Sequence, residues 1–257
     1  MIAYFRKIRQ QLSTSNAMTR SYSRITRYLL YATGEIILVV IGILIALEVN
    51  NRNDARKTHD QEMVYLLKIK EDLVSNNGKL DQFINRQKEY ITAAQTIIKH
   101  IEGEPITDWH AFNEQCISIY DWRRFYLDNY TFQDLIYSGN LNLISNDSIK
   151  TLLLNLDGLY QQYKAKEDHL RFDSETIIFG PAYELLDLHP SFNDHIGQKT
   201  ELTERMYRDY FQDKRTKNGF LMAIIEFSTM NGMLREMKDL SEKMLRIIEQ
   251  DLPQNHK

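Results

Sequence analysis

A carboxylate stands inside the most apolar stretch of the chain. In "YLLYATGEIILVVIGILIALEVNN", Tyr28 to Asn51, the seventh residue is Glu35. An acid in such a run is a functional candidate because an ionised group is expelled from hydrocarbon unless it is paired. On a helix of about 3.6 residues per turn, Glu35 shares a face with Val39, Gly42 and Ala46, and Tyr31 lies one turn earlier. Gly42 and Ala46 make a small-xxx-small pair, which lets two helices approach closely. On that face a carboxylate could accept a hydrogen bond from Tyr31, or from an arginine, of a partner span. Tyr31, Glu35, Gly42 and Ala46 are therefore the candidate membrane-helix association face. The alternative is that Glu35 snorkels to the interface and the small residues are incidental.

Other reactive side chains are sparse. Cys116 is the single cysteine, which excludes an internal disulfide framework and a Cys-rich zinc site. His110 precedes it by six residues, about 600° of helical rotation, so the two do not face each other. A Cys–His nucleophile would need a histidine from elsewhere in the fold; a buried structural cysteine is the simpler expectation. The histidines show no i,i+4 pair and no H-E-x-x-H, and no phosphate-binding glycine loop or G-x-S-x-G occurs. No catalytic residue, metal site or cofactor is assigned, and no enzyme activity is expected. Met222, Met230, Met233, Met237 and Met244 cluster near the C-terminus. Thioethers can bind Cu(I), but methionine more often fills gaps in a helical core. "WRRFYLDNY" (122–130) interleaves aromatic and basic residues. It is read first as packing between helices, and otherwise as an exposed partner patch of Trp122, Arg123, Arg124, Phe125 and Tyr126.

The apolar run must itself be placed. Tyr28 to Leu47 would make about 30 Å of helix at about 1.5 Å per residue, the thickness of a hydrocarbon core. Twelve of these residues are Leu, Ile or Val. They favour insertion by about 4–7 kcal/mol, against at most about 3.5 kcal/mol for one acid. A signal peptide is disfavoured by the long preceding segment and the lack of an A-x-A-like site; a core helix is disfavoured because Ile36 to Leu47 has no polar face. A retained transmembrane anchor is the expectation.

Charge sets its orientation. Arg6, Lys7, Arg9, Arg20, Arg24 and Arg27 give residues 1–34 a net of +6 with no acid, leaving −9 for the rest of a chain whose total is −3. Six basic residues before the span, against Arg52, Arg56 and Lys57 just after it, place the N-terminus in the cytoplasm. Ile2, Phe5, Ile8 and Leu12 recur at helical spacing among those cations, which suits a helix on an anionic inner leaflet; a disordered tail is the alternative. The acidic body argues against a nucleic-acid partner.

"FRKIRQ" at 5–10 and the apolar run together resemble the N-terminus of an uncharacterised family of bacterial single-pass membrane proteins. "YTFQDLIYSGNLNLISND" (130–147) is similar to that family's internal signature. Just after the span the chain departs from the pattern, with Glu48 for a more usual amide and Arg52 for a more usual tryptophan. The family has no established activity, so no site residue is carried over. The resemblance implies an anchored helical protein of the bacterial envelope.

The rest of the chain predicts an all-α body. A polar stalk, 48–61, leads into a helical stripe from Met63 to Val74, and "SNNG" (75–78) predicts a break or bend. The period resumes to a turn at Gly103, and a shorter helix spans Trp109 to Tyr120. Thr131 and Asp134 predict a capping box, Gly139 a C′ residue, and Ser145 to Ser148 the cap of a helix that Pro181 should kink or end. "HPSFNDHIGQKT" reads as loop. Met230, Met233, Met237, Leu240, Met244 and Ile247 predict a coiled-coil-like a/d seam. The expected organisation is a basic cytoplasmic tail (1–27), a transmembrane helix (28–47), the stalk (48–61) and an extracytoplasmic bundle of about four to seven helices (62–257). The expected role is a binding or scaffold protein of the inner membrane, contacting lipid and forming a homo-oligomer or joining another membrane protein. A sensor passing ligand binding through the membrane helix is the alternative; its small-molecule ligand is unspecified.

Overall fold

The computed structural model describes residues 24–121 and 123–252. Among these residues the fold is all-α, with no strand. Helix α1 runs Arg24–Ile101, α2 Trp109–Tyr120 and α3 Tyr130–Tyr137. A 3-10 turn, Asn140–Leu143, leads to α4, Asp147–Asp173, which widens into a π-helical segment, Ser174–Phe179. Then follow α5 (Gly180–Leu185), α6 (Leu188–His195), α7 (Glu204–Gln212) and α8 (Lys214–Asp251). The chain divides into two units, the first ending at Thr58 and the second beginning at His59.

In the first unit every Leu, Ile and Val from Ile36 to Leu47 is exposed, on all sides of the helix. The polar segment that follows remains helical. It is held by short-range pairs: Arg52 Nε to Glu48 Oε1 at 2.7 Å, Asn50 Nδ2 to Asp54 Oδ2 at 3.0 Å, and Lys57 to Asp54 at 3.6 Å. Such i,i+3 and i,i+4 contacts each stabilise an exposed helix by about 0.2–0.5 kcal/mol. Glu48 and Arg52, the two departures from the pattern that the sequence resembles, pair with each other.

The second unit is built on three long helices. Lys70 pairs with Glu249 (2.9 Å), Asp81 with Lys238 (2.5 Å), and Glu102 with Lys217 (2.5 Å). One number climbs as the other falls, so α1 and α8 run antiparallel. Asn146 to Asp251 and Lys166 to Glu226 set α4 antiparallel to α8 in the same way. At one end α2, α7 and the aromatic side chains Trp109, Phe112, Tyr207 and Phe211 close the core with stacked and edge-on rings 5.3–5.8 Å apart.

Helix α1 does not break at "SNNG". Asn76 takes a core position in the stripe Leu66, Ile69, Leu73, Asn76, Leu80, Ile84. Its amide donates to Asp128 O (2.7 Å) and accepts from Asp128 N–H (2.8 Å). Tertiary bonding offsets the poor helix propensity of this stretch, which for Gly78 amounts to about 1 kcal/mol against alanine.

Other expectations shift by a residue or change owner. The capping box does not form: Asn129 is the N-cap of α3, the Thr131 N–H donates to Asp72 Oδ2 of α1 (3.2 Å), and Asp134 accepts from the Tyr65 hydroxyl (3.0 Å). A neighbouring helix thus satisfies an N-terminal N–H that a local side chain was expected to cap. Gly139 does follow the C-cap, at φ 72°. Asn146 caps α4, while Ser145 donates twice to the buried Glu62. "HPSFNDH" is not loop but most of α6: Asp187 caps it and Pro190 falls in the first turn, where its missing N–H costs nothing. The buried line of α8 is Met230, Leu234, Met237, Ser241, Met244 and Ile248, with Met233, Leu240 and Ile247 at its rim. Packed against two helices, α8 buries a stripe wider than a single seam.

Pro181 acts as expected on α4, though through the π-helical segment rather than a clean stop. It has no N–H for the carbonyl four residues back, Ile177 O. That carbonyl faces Gly219 of α8, where an added Cβ would lie 2.4 Å from it. Gly219→Ala should therefore destabilise the protein by about 1–3 kcal/mol through overpacking. Thermal unfolding of the full chain would show this, whereas Gly232→Ala, which meets nothing within 4 Å, should be neutral or stabilising.

Candidate functional site

Tyr31, Glu35, Gly42 and Ala46 all lie on α1 in the first unit and are exposed there. A Cβ at Gly42 would meet nothing within 4 Å, so the face is open to close approach. Of the basic residues expected at a membrane surface, Arg6, Lys7, Arg9 and Arg20 lie outside the described residues, as do the side chains of Arg24 and Arg27.

The aromatic-basic segment is split by the fold. Trp122 lies outside the described residues. Arg123 is exposed, Arg124 pairs with Asp168 at 2.9 Å, and Tyr126 is exposed with the Lys164 ammonium 4.5 Å from its ring centroid. Phe125 is fully buried, edge-on to Phe83 (5.2 Å) and Tyr163 (5.8 Å), so it cannot belong to an exposed patch. Between α2 and α3 the backbone here is not helical and must find partners elsewhere. Glu167 of α4, wholly buried, accepts the Phe125 N–H at 2.7 Å and forms an ion pair with Lys164, whose ammonium also donates to Phe125 O (3.2 Å). Asp128 is fixed by Asn76, Ser75 (2.9 Å) and Lys79 (2.6 Å). The Lys79 ammonium holds the Asp128 carboxyl below its usual range, against the opposing effect of burial. Sequence reasoning missed Glu167. Its signal was an acid in the apolar row Leu156, Tyr163, Leu170 of α4.

Cys116 is buried, and burial pushes its thiol far above the usual range. It packs as a small apolar residue of the core, and its neutral thiol is a poor nucleophile. Met230, Met237 and Met244 are core residues, as the simpler reading expects. Among the described residues, two mixed clusters join histidine to carboxylates: His110, Glu114, Asp194, and His169, Asp173, Glu226. In the second, the Lys166 ammonium lies 2.7 Å from Glu226 and takes the place a cation would occupy. In the first, Asp194 raises the His110 pKa by accepting a hydrogen bond from its ring. Neither cluster was visible in local spacing, because each draws on two helices.

Glu167→Ala would leave the Lys164 ammonium without its counter-charge and the Phe125 N–H without its acceptor. We expect a loss of about 3 kcal/mol, the low end for breaking a buried pair because Lys164 keeps some contact with water. Denaturant unfolding of the full chain should show it, and a midpoint equal to wild type would mean the segment is held by its aromatic packing alone.

No curated protein matches the chain. No solved structure matches it either. The family of unknown function DUF6090 matches residues 35–164, a stretch that begins at Glu35, includes the 130–147 signature and ends at Lys164 of the Glu167 pair. That is just over half of the 257 residues, and the chain belongs to this family.

Proposed function

We propose that this is a single-pass membrane protein of the bacterial envelope whose helical body binds or scaffolds a protein partner. The observation that carries the reading is the all-round exposure of Ile36 to Leu47, each aliphatic residue 47–63% exposed, in a chain whose second unit buries an ordinary core. A lipid environment makes such a helix favourable. The charge bias of residues 1–34 supports a cytoplasmic N-terminus in the inner membrane and an extracytoplasmic body.

Two surfaces support binding. One is the Tyr31, Glu35, Gly42, Ala46 face, suited to a second copy of the span or another membrane helix. The other is an exposed row on α1, Val64, Leu67 and Val74, at heptad-like spacing. Homo-oligomerisation through the first face is the specific form we favour. A sensor role is the second reading, favoured because α1 contains both the apolar span and the stripe that builds the core.

Replacing Glu35 and Gly42 together by leucine should lower the yield of crosslinked oligomer in membranes several-fold while leaving membrane insertion intact. An unchanged crosslinking pattern would remove this face from the account.

A further inference from the structure

We propose that His110, Glu114 and Asp194 form a binding site for a divalent transition-metal ion such as Zn2+. His110 and Glu114 stand one turn apart on α2, and Asp194 comes from α6. One ligand atom from each lies within 4.8 Å of the other two, and His110 Nδ1 is already 3.0 Å from Asp194 Oδ2. Zinc takes nitrogen and oxygen ligands at about 2.0–2.2 Å, so donors around it stand about 3.2–3.6 Å apart. Small side-chain rotations would bring the three to that spacing, leaving a fourth position open.

The carboxylate is oriented from behind. Asn113, wholly buried, donates to Asp194 Oδ2 at 2.8 Å and to Ser191 O at 2.9 Å. Its own carbonyl oxygen accepts from the Ser191 hydroxyl at 2.5 Å, with the Tyr207 hydroxyl at 3.5 Å. Asp194 is thus fixed by a satisfied buried amide, the kind of outer partner that sets a metal ligand's geometry. His195 steadies Glu114, its Nδ1 lying 2.8 Å from Glu114 Oε1.

Charge separates this cluster from its counterpart. Among the described residues the ion-pair partners of Asp194 and Glu114 are the imidazoles of His110 and His195, which can themselves serve as metal ligands. In the His169 cluster the Lys166 ammonium, which cannot, stands 2.7 Å from Glu226. One imidazole with two carboxylates selects a borderline ion such as Zn2+ or Co2+ over Ca2+ or Mg2+. Such an ion would tie α6 to α2.

The test is titration of the purified full-length chain in detergent with Zn2+ alone, by calorimetry, and with Co2+ by its visible absorption. We expect one saturable site, a melting temperature that rises with Zn2+, and Co2+ bands showing a nitrogen ligand. His110→Ala and Asp194→Asn should each weaken binding at least ten-fold, while His169→Ala leaves it unchanged. His110 is exposed, so its alanine variant should melt like wild type in chelator, which separates lost ligation from lost folding. No saturable binding, or binding unaffected by either variant, would show that the cluster consists of ion pairs only.

Discussion

The constraint on which the structure depends is that α1 must meet a different surrounding in each part of its length. Ile36 to Leu47 is apolar on every side, Glu48 to Gln61 is almost wholly polar, and from Glu62 onward one stripe is buried. Each part answers a separate physical demand. The apolar part satisfies its backbone groups within the helix, as a segment in hydrocarbon would have to. The polar part relies on neighbouring side chains of its own helix, such as Glu48 and Arg52. The buried part supplies the face on which α8 and α4 pack.

That last face is not uniformly apolar. Glu62, Asn76 and Gln87 are buried in it, and each engages a different part of the body: Ser145, Asp128 and the Tyr163 hydroxyl. A satisfied hydrogen bond adds only about 0.5–1.5 kcal/mol, but a buried polar group left without its partner costs about 1–3 kcal/mol. A slip of α1 by one turn would orphan all three at once, so these groups fix register more than they add stability. Glu167 plays the same part for the irregular segment between α2 and α3, fastening backbone that no helix ladder could satisfy.

Sequence periodicity made the helical class, the apolar span, α2 and the Gly139 stop legible, because each depends on local chemistry. It misplaced what depends on a second element. "SNNG" carries the composition of a break, yet Asn76 is held in helix by Asp128, 52 residues away. Thr131 resembles a local cap, yet Asp72 does that work. "HPSFNDH" has the composition of a loop, yet Pro190 falls in the first turn of α6 behind the Asp187 cap. The His110 cluster is hidden for the same reason, since residues 189–195 have the composition of a loop but form most of α6. Phe125 could not be told from its exposed neighbours by residue type; only the depth of Phe83 and Tyr163 separates them.

The functional account rests on the surroundings of Ile36 to Leu47. Single cysteines placed at each position from 36 to 58, in a chain whose buried Cys116 is replaced by alanine, would be exposed to a water-soluble maleimide on intact cells. The account predicts no labelling at any position from 36 to 47, on every side of the helix, and labelling from the outside throughout the polar part. Labelling of 36–47 at every third or fourth position would mean a helix packed on one face against protein, and labelling of the polar part only in permeabilised cells would place the body in the cytoplasm; either result would contradict it.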